Sequence, residues 1–326
     1  MTPTVSVVVC TYNGSAYVEQ QFASLLAQSR LPDQIVIADD ASSDGTPKAI
    51  ERFAARCRGQ GVEVVIRLRP ANVGFIANFA DALTLATGDL IFLCDQDDRW
   101  HEEKLARMAA TLAEEPDLTL LFTDARLVDA AGAPLGQTLF DALELLPADW
   151  HALRSGRAFP VLLRRAVVTG ATTAFRQPLV RRALPVPPGW IHDEWLATVA
   201  ALTGRILPLS SPLIDYRQHG GNQIGMRKRT WRQRIADLFL PRNALLIRGL
   251  ERMAALDERF AEDATIPLAS RQMVAERMRH FRRRVAIGSR PRYARWPDLW
   301  SEWRGGGYGR HGNGLSSVLR DALRKH

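Results

Sequence analysis

Three aspartates near residue 95 form the first group of residues that could do chemistry. Asp95, Asp97 and Asp98 follow Leu90–Cys94, an unbroken apolar run typical of a strand buried on both faces. The acids then lie at the carboxyl end of that strand, where open α/β sheets bind ligands. Carboxylates this close repel one another, and a hard divalent cation, Mg²⁺ or Mn²⁺, relieves the repulsion while keeping positions open for phosphate. An acidic turn that caps a helix beginning near Trp100 is the alternative interpretation.

Asp193 is a second acidic position, placed to act as a general base. It lies in the string GWIHDEWL, residues 189–196, which opens a predicted helix that continues through Ala201. A hydroxyl is a poor nucleophile until a carboxylate takes its proton, and a partly desolvated carboxylate is more basic. The alternative is that Asp193 is only an acid in the first turn of the helix, stabilised by the helix dipole.

Tyr12 and Asp40 follow the first two predicted strands and could bind a nucleotide base. A carboxylate accepts the imide N–H of uracil or thymine, which selects a pyrimidine, and a tyrosine ring offers a stacking face. The alternatives are that Asp40 caps a turn and that Tyr12 fills a half-buried position. The sequence contains neither G-x-G-x-x-G nor G-x-x-x-x-G-K-[ST], so we do not expect a glycine-rich phosphate cradle.

The string YRQHGGNQ, residues 216–223, supplies two basic side chains. If the preceding strand persists, Arg217 and His219 point to the same side of it. A guanidinium and an imidazole there could bind a diphosphate or complete a metal shell, and so stabilise the leaving group. We expect the two glycines and Asn222 to form a flexible loop that closes over the ligand. A purely structural histidine is the alternative for His219.

Alternating strands and helices must position these groups. This alternation predicts an α/β fold with a Rossmann-like, mixed but mainly parallel sheet flanked by helices, and it places the polar segments at one edge of the sheet. Apolar runs predict the first four strands at Val5–Cys10, Gln34–Ala38, Val62–Arg67 and Leu90–Cys94. Further strands are predicted at Leu118–Thr123 and Ile206–Leu209, and the segment Pro212–Asp215 follows the second of them.

Composition indicates a globular enzyme of a reducing compartment. Of 326 residues, 46% are hydrophobic and 24% are charged, which excludes disordered and fibrous classes. The three cysteines have no metal-ligand spacing and are expected to be buried in the core. We recognise no signal peptide and no run long enough to span a membrane. The expected location is cytoplasmic, with peripheral attachment at the inner face of the plasma membrane as a further option.

Charge is unevenly distributed along the chain. Residues 1–226 contain 20 basic and 25 acidic side chains, whereas residues 227–326 contain 23 basic and 10 acidic ones. Predicted helices at 227–256 and 270–287 combine aromatic and basic residues, which favours contact with anionic lipid. Packing on the body with a solvated basic face explains the pattern nearly as well. No nucleic-acid-binding motif is present, and the glycine-rich sequence after Arg304 predicts a flexible tail.

Three separated strings carry a family resemblance. VVVCTYNG, IADDASSDGT and FLCDQDDRW, in this order and at this spacing, resemble the nucleotide-binding half of inverting family 2 glycosyltransferases with the GT-A fold. The resemblance implies that a divalent metal, Mg²⁺ or Mn²⁺, lies under the donor diphosphate on Asp97, Asp95 and His219. Asp98 would support these ligands, and Arg217 and His219 would contact the diphosphate. The implied nucleotide contacts are Thr11, Tyr12, Asn13, Asp40, Asp95 and Gln96.

The second half of the chain resembles rhamnosyltransferase-like members of that family. HDxW at this distance after D-x-D is similar to their base motif and implies that Asp193 is the base. Glu194 departs from the aromatic residue expected there, which affects the fit of the acceptor. The segment Val167–Gln177 is similar to the one beside their acceptor site. The implied acceptor contacts are Gly170, Thr172 and Trp195.

Together these features predict an inverting, metal-assisted glycosyltransferase. Rhamnose or a hexose would move in one displacement from dTDP-rhamnose or a UDP-hexose to a hydroxyl of a cell-surface glycan or lipid-linked acceptor. The expected domains are a GT-A domain at 1–226, whose nucleotide-binding half is 1–100 and whose acceptor half is 101–226, a basic helical extension at 227–304 and a flexible tail at 305–326. The alternative functions are a non-catalytic sugar-nucleotide binder or scaffold of a glycan assembly complex, and a sugar nucleotidyltransferase.

Overall fold

The structure, a computed structural model, describes residues 2–220 and 238–325. These residues divide into two compact units: the first comprises 2–162, 166–186 and 191–220, and the second comprises 163–165, 187–190 and 238–325. The domain boundary predicted at residue 226, most of the predicted closing loop, including Asn222, and the first part of the helix predicted at 227–256 lie outside the described residues.

One mixed sheet runs through the first unit, as the sequence predicted. Its strands are β1 (Val5–Thr11), β2 (Gln34–Asp39), β3 (Glu63–Leu68), β4 (Leu90–Asp95), β5 (Arg99–Trp100), β6 (Leu118–Val128), β7 (Pro134–Thr138), β8 (Thr173–Arg176) and β9 (Arg205–Arg217). They are ordered β3-β2-β1-β4-β8-β6-β9-β5, with β7 paired to β6. The first four strands and the β6–β9 pair are parallel, and β8 is antiparallel to both of its neighbours.

Helices cover the sheet and bury its apolar strands. Every residue of β1 and β2 is buried, which agrees with their unbroken runs of Val and Ile. Phe22 and Phe53, from the first two helices, stack with their ring centroids 4.1 Å apart. The helices of this part of the chain are α1 (Val18–Leu26), α2 (Thr46–Gly59), α3 (Phe75–Leu83), α4 (Lys104–Glu114), α5 (Leu139–Ala142), α6 (Pro147–Arg154), α7 (Phe159–Arg164), α8 (Pro178–Ala183) and α9 (His192–Thr203).

Strand register brings the polar segments together at one edge. Cys10 of β1 lies opposite Asp95 of β4, and Thr11 lies opposite Asp39 of β2. The two-residue strand β5 pairs with the far end of β9, which brings the chain after the acidic segment next to the YRQH string. The sequence predicted a strand at Ile206–Leu209 and a separate segment at Pro212–Asp215 in place of β9. The structure joins them, and irregular pairing with β6 absorbs the interruption.

The second unit is helical and basic, as predicted for the extension. Its helices are α10 (Asn243–Arg259), α11 (Leu268–Gly288), α12 (Trp296–Arg304), α13 (Gly307–His311) and α14 (Leu315–Leu323). Among the described residues, none of the helices combines the length and the hydrophobicity that a membrane span requires.

The structure differs from the predicted flexible tail at 305–326. Tyr308 is fully buried, and its hydroxyl donates a hydrogen bond to Asp321 at 2.9 Å. Asp321 also accepts a hydrogen bond from Arg284 at 2.6 Å. Arg295 lies buried beside this cluster. It donates to the carbonyls of Gly288, Arg290, Asp321 and Arg324. The glycines break the segment into two short helices, and these buried polar contacts hold the helices against α11 and α12.

Replacing Arg295 tests whether this segment is ordered. In Arg295→Ala the backbone carbonyls that accept from the guanidinium lose their donor inside the unit, at a cost of about 3 kcal/mol. We expect amide hydrogen exchange in α14 to accelerate on the order of a hundredfold. Arg304→Ala, at an exposed arginine, is the matched control and should leave the exchange unchanged. Unprotected amides in α14 of the wild-type protein would restore the flexible-tail interpretation.

Candidate active site

A side-chain clamp holds the loop after β1 against the acidic segment. The Gln96 side chain accepts from the Tyr12 N–H at 2.8 Å and donates to the Tyr12 carbonyl at 3.0 Å. A Cβ at position 14 would lie 2.2 Å from the Gln96 amide oxygen, so the close approach requires Gly14. Gln96, predicted to contact the nucleotide, therefore has a supporting role in this structure. The clamp leaves the Tyr12 side chain 46% exposed at the sheet edge.

Thr11 and Asn13 connect the loops after β1 and β2. The Thr11 hydroxyl donates to Asp39 at 2.7 Å, and the side-chain Oδ1 of Asn13 accepts from the Ser43 N–H at 2.9 Å. Asn13 has φ +47°, a left-handed conformation that asparagine tolerates well. Both residues lie where the nucleotide contacts were predicted, and their side-chain hydrogen bonds fix the shape of this edge.

Asp40 binds the turn that precedes α3. Its two carboxylate oxygens accept from the N–H groups of Val73 at 2.8 Å and Gly74 at 2.9 Å. Only 2% of the residue is exposed. These contacts match the capping alternative, and the imide of a base would reach the carboxylate only after the 73–74 segment moved.

The acids after β4 contact the end of β9. The Asp97 Oδ2 lies 2.8 Å from the His219 Nε2. Asp98 is buried, and its Oδ1 accepts from the Arg217 N–H at 3.0 Å. The other oxygen of Asp98 is buried and has no hydrogen-bond partner among the described residues. The structure therefore brings together two of the motifs that the sequence singled out.

Arg217 stabilises the contact between the acids and the end of β9 through hydrogen bonds. It is 3% exposed and donates to the carbonyls of Asp97 and Ala130 and to the Gln20 side chain, at 2.8, 2.9 and 2.8 Å. These contacts engage the guanidinium within the protein, so the predicted contact with a diphosphate is not available to it here. Because its guanidinium is buried and held by these hydrogen bonds, Arg217 also fixes the backbone carbonyl of Asp97.

Tyr17 belongs to the site, although nothing in the sequence around it indicated that role. The His219 ring stacks on Tyr17 with centroids 4.7 Å apart, and the Arg217 guanidinium lies 4.9 Å from the centre of the same ring. The sequence placed Tyr17 at the start of an ordinary amphipathic helix, and only the tertiary packing turns its ring toward the basic residues.

Asp193 lies in the first turn of α9 with both oxygens oriented. Oδ2 accepts from the Gly170 N–H at 2.9 Å and Oδ1 accepts from the Glu194 N–H at 2.7 Å. His192 is buried and stacks on Phe79 with centroids 4.2 Å apart, and burial lowers the pKa of its imidazole. The carboxylate therefore has a fixed direction and a neutral aromatic neighbour.

Two of the predicted acceptor contacts are contradicted by burial. Thr172 is fully buried and its hydroxyl donates to the Thr169 carbonyl at 2.7 Å. Trp195 is fully buried and its indole N–H donates to the Ala183 carbonyl at 2.5 Å. Both side chains belong to the core under the site. Gly170, the third predicted contact, does lie against Asp193.

The acids of the two halves are close enough to affect one another's charge. Burial, and then repulsion from Asp97 and Asp193, raises the pKa of Asp95 to about 7. Burial and the four carboxylates of Asp98, Asp95, Asp97 and Asp193 raise the pKa of the Tyr216 phenol. Acids that are nearly a hundred residues apart in sequence therefore act on the same buried tyrosine.

Lys104 is a buried cation that sequence analysis missed. It is fully buried, its Nζ donates to the Ala171 carbonyl at 2.5 Å, and it lies 3.8 Å from the centre of the Trp100 ring. Burial lowers its pKa to about 7, against the opposing influence of Cys94, Asp98 and Asp95. The preceding residue, Gly170, carries the N–H that binds Asp193, so Lys104 links the acidic segment to the turn that orients Asp193.

Comparison with known proteins places this geometry in a family. The sequence model of the family "Glycosyl transferase family 2" matches residues 6–180, which is more than half of the chain. The chain belongs to glycosyl transferase family 2. An uncharacterized protein of Mycobacterium tuberculosis is 31% identical over 217 residues, which are 66% of this chain and 58% of that protein. The chain thus spans less than two thirds of the mycobacterial relative.

Solved structures show the same fold. Staphylococcus aureus TarS 1–349, crystallised in complex with UDP, matches 97% of this chain and 90% of its own with a TM-score of 0.53 and 16% identity. The mannosyltransferase PcManGT from Pyrobaculum calidifontis, in complex with GDP-Man and Mn²⁺, matches 99% and 86% with a TM-score of 0.52 and 20% identity. The predicted GT-A fold of this family 2 protein is therefore confirmed.

The acid cluster is chemically suited to a divalent cation, although its ligands are not arranged as a finished site. Among the described residues, no group of three or more His, Cys, Asp or Glu has the geometry of a metal site. The donor set nevertheless fits, because the free buried oxygen of Asp98 and the raised pKa of Asp95 both mark uncompensated negative charge. A cation would compensate that charge.

The raised pKa of Asp95 predicts how metal-free stability depends on pH. Between about pH 4 and pH 7 the folded protein holds a proton that the unfolded chain has released, so the free energy of unfolding falls as pH rises. Asp95→Asn should weaken this dependence, and part of it should persist because burial also raises the pKa of Asp98. The variant should be more stable than the wild type at pH 7 by up to about 4 kcal/mol. Urea unfolding in EDTA at pH 5 and pH 7 measures both changes. Asp257→Asn, at an exposed aspartate, is the control, and parallel pH profiles for wild type and Asp95→Asn would contradict the electrostatic account.

Proposed function

We propose that the protein is an inverting glycosyltransferase that transfers a sugar from a nucleoside diphosphate to an acceptor hydroxyl. The observation that carries the proposal is the proximity of Asp193 to the acids at the end of β4, which is close enough for Asp193 to raise the pKa of Asp95. Hydrogen bonds from Gly170 to Asp193 and from Lys104 to the Ala171 carbonyl support this placement. Membership of family 2 supports a transferase, and the two groups of acids have distinct tasks in such a reaction. One group faces the phosphates of the donor, and the other faces the hydroxyl that attacks.

The donor is a nucleotide sugar bound at the ends of β1, β2 and β4. Solved structural neighbours are complexes with UDP and with GDP-Man, which supports a nucleotide-sugar donor. The exposed ring of Tyr12 is the stacking surface for the base. A pyrimidine nucleotide, as in dTDP-rhamnose or a UDP-hexose, remains our proposed donor class. Selection by Asp40 requires the Val73–Gly74 segment to release its carboxylate.

Asp97 and Asp95 would hold the divalent ion, with His219 beside Asp97. PcManGT was crystallised with Mn²⁺, which supports a divalent metal in this fold. When bound, the ion neutralises charge on the diphosphate as it departs. Arg217 contributes as a positioning residue, because its hydrogen bonds fix the Asp97 carbonyl and the end of β9.

Asp193 takes the proton from the acceptor hydroxyl. The N–H groups of Gly170 and Glu194 hold the carboxylate, so it meets the hydroxyl without rearranging. The hydroxyl oxygen bonds to the anomeric carbon from the face opposite the diphosphate, the bond from that carbon to the phosphate oxygen breaks, and the configuration inverts. Positive charge develops on the sugar ring in the transition state, as in glycoside chemistry generally.

The acceptor is a hydroxyl of a cell-surface glycan or a lipid-linked sugar. Gly170 is buried next to Asp193 and contributes through its N–H, which orients the carboxylate of the base. Burial removes Thr172 and Trp195 from direct contact. Acceptor recognition therefore depends on the backbone around Gly170 and on groups that surround Asp193.

Replacing the base tests the proposal. Asp193→Asn keeps the shape of the side chain but cannot take a proton, so we expect release of nucleoside diphosphate to fall on the order of a thousandfold. Nucleotide affinity, measured by calorimetry, should stay within about twofold because the substitution spares the acids after β4. Glu194→Gln, at the neighbouring acid, is the matched control and should retain most of the activity.

The same assay separates the outcomes. Turnover by Asp193→Asn at the wild-type rate would remove Asp193 from the role of base. Release of pyrophosphate in place of nucleoside diphosphate by the wild-type protein would identify a nucleotidyltransferase and contradict the proposed reaction.

A further inference from the structure

An exposed aromatic stripe runs along helix α12 in the second unit. Trp296, Trp300 and Trp303 are 59%, 63% and 40% exposed, and their spacing places all three on one side of the helix. Tyr293, in the turn before the helix, is 83% exposed. Large aromatic side chains are usually well buried, and three on one helix face form a contiguous apolar patch of the kind that marks an interaction surface.

The two acidic residues of α12 are paired with basic residues, so they do not repel an anionic partner. Asp298 is paired with Arg290. Glu302 is buried, lies 2.7 Å from His280 and accepts a hydrogen bond from Arg283 at 2.5 Å. Both carboxylates are therefore neutralised within the unit. Arg292 and Arg304, at the two ends of the stripe, are exposed.

The second unit carries a net positive charge, like the two arginines at the ends of the stripe. Residues 238–325 contain 18 basic and 9 acidic side chains. A second exposed apolar pair, Phe239 and Leu240, lies near the start of α12. The Phe239 carbonyl accepts from the Lys325 N–H at 3.1 Å, and Arg295, which precedes the helix, donates to the neighbouring Arg324 carbonyl at 2.9 Å. Exposed apolar groups and positive charge therefore occur together at this end of the unit.

We propose that the tryptophan face of α12 binds the surface of an anionic lipid bilayer. Tryptophan is suited to the boundary between headgroups and acyl chains, because its ring is apolar and its N–H is a hydrogen-bond donor. Arginines at the ends of the helix attract anionic headgroups, and a helix of this length lies in the plane of the surface without spanning it. This complementarity of charge favours a lipid surface over a second copy of the same basic unit, and it does not depend on the proposed reaction.

Vesicle co-sedimentation of the full-length protein tests the surface. We expect binding to phosphatidylcholine vesicles that contain phosphatidylglycerol, weaker binding to phosphatidylcholine alone, and weakening by salt. The variant W296S/W300S/W303S should lose about tenfold or more in affinity. L245S/L268S removes two other exposed apolar side chains and is the matched control, which should bind like the wild type. R292Q/R304Q should reduce the preference for anionic vesicles.

Several results would overturn the proposal. One is the absence of vesicle binding by the wild type, and another is equal binding by the triple variant. A third is that the triple substitution leaves vesicle binding unchanged and alters only the oligomeric state in solution. That result would show that the face binds a second copy of the protein. If the triple variant does not fold, quenching of wild-type tryptophan fluorescence by brominated acyl chains gives an independent answer, and no quenching rejects the proposal.

Discussion

The arrangement of the site in the first unit depends on the repulsion among the carboxylates at the end of β4. Asp95, Asp97 and Asp98 follow a fully buried strand, and one oxygen of Asp98 is buried without a partner among the described residues. Such a cluster is costly in a protein that only has to fold. Its cost is reduced by the buried Lys104 and, from the segment at the end of β9, by Arg217 and His219. We interpret the charge that is left as the property that binds a cation and a diphosphate.

The supporting residues link the two chemical halves physically. Lys104 follows the acidic segment and holds the Ala171 carbonyl, and the adjacent Gly170 N–H holds Asp193. Arg217 holds Asp97 through its side chain and Asp98 through its N–H. Both chains of contacts begin at the acids, so a change of charge there acts on the groups that orient Asp193 and His219. This linkage provides a route by which donor binding can affect the proposed base.

The sequence predicted the parts of the fold that depend on local pattern. Segments rich in Val, Ile and Leu predicted the first four strands, and the polar residues that follow them predicted the edge where the site lies. The supporting contacts were beyond prediction because they depend on tertiary packing. Lys104 has the sequence context of a surface helix, and Arg217 was interpreted as a ligand because burial of a guanidinium has no local signal. Asp40 was interpreted from its position after β2 and Trp195 from the resemblance, and their contacts in this structure are those of a residue that holds a turn and of a core residue.

Binding of Mn²⁺, followed by the loss of its free-ion electron paramagnetic resonance signal, tests the central claim most directly. The claim is that the acids after β4 hold a divalent ion under a nucleotide diphosphate. We expect the wild-type protein to bind Mn²⁺ tightly when UDP or dTDP is present, and Asp97→Ala to lose that binding while Asp257→Ala retains it. Nucleotide binding that is the same with EDTA, with Mn²⁺ and in Asp97→Ala would contradict the account.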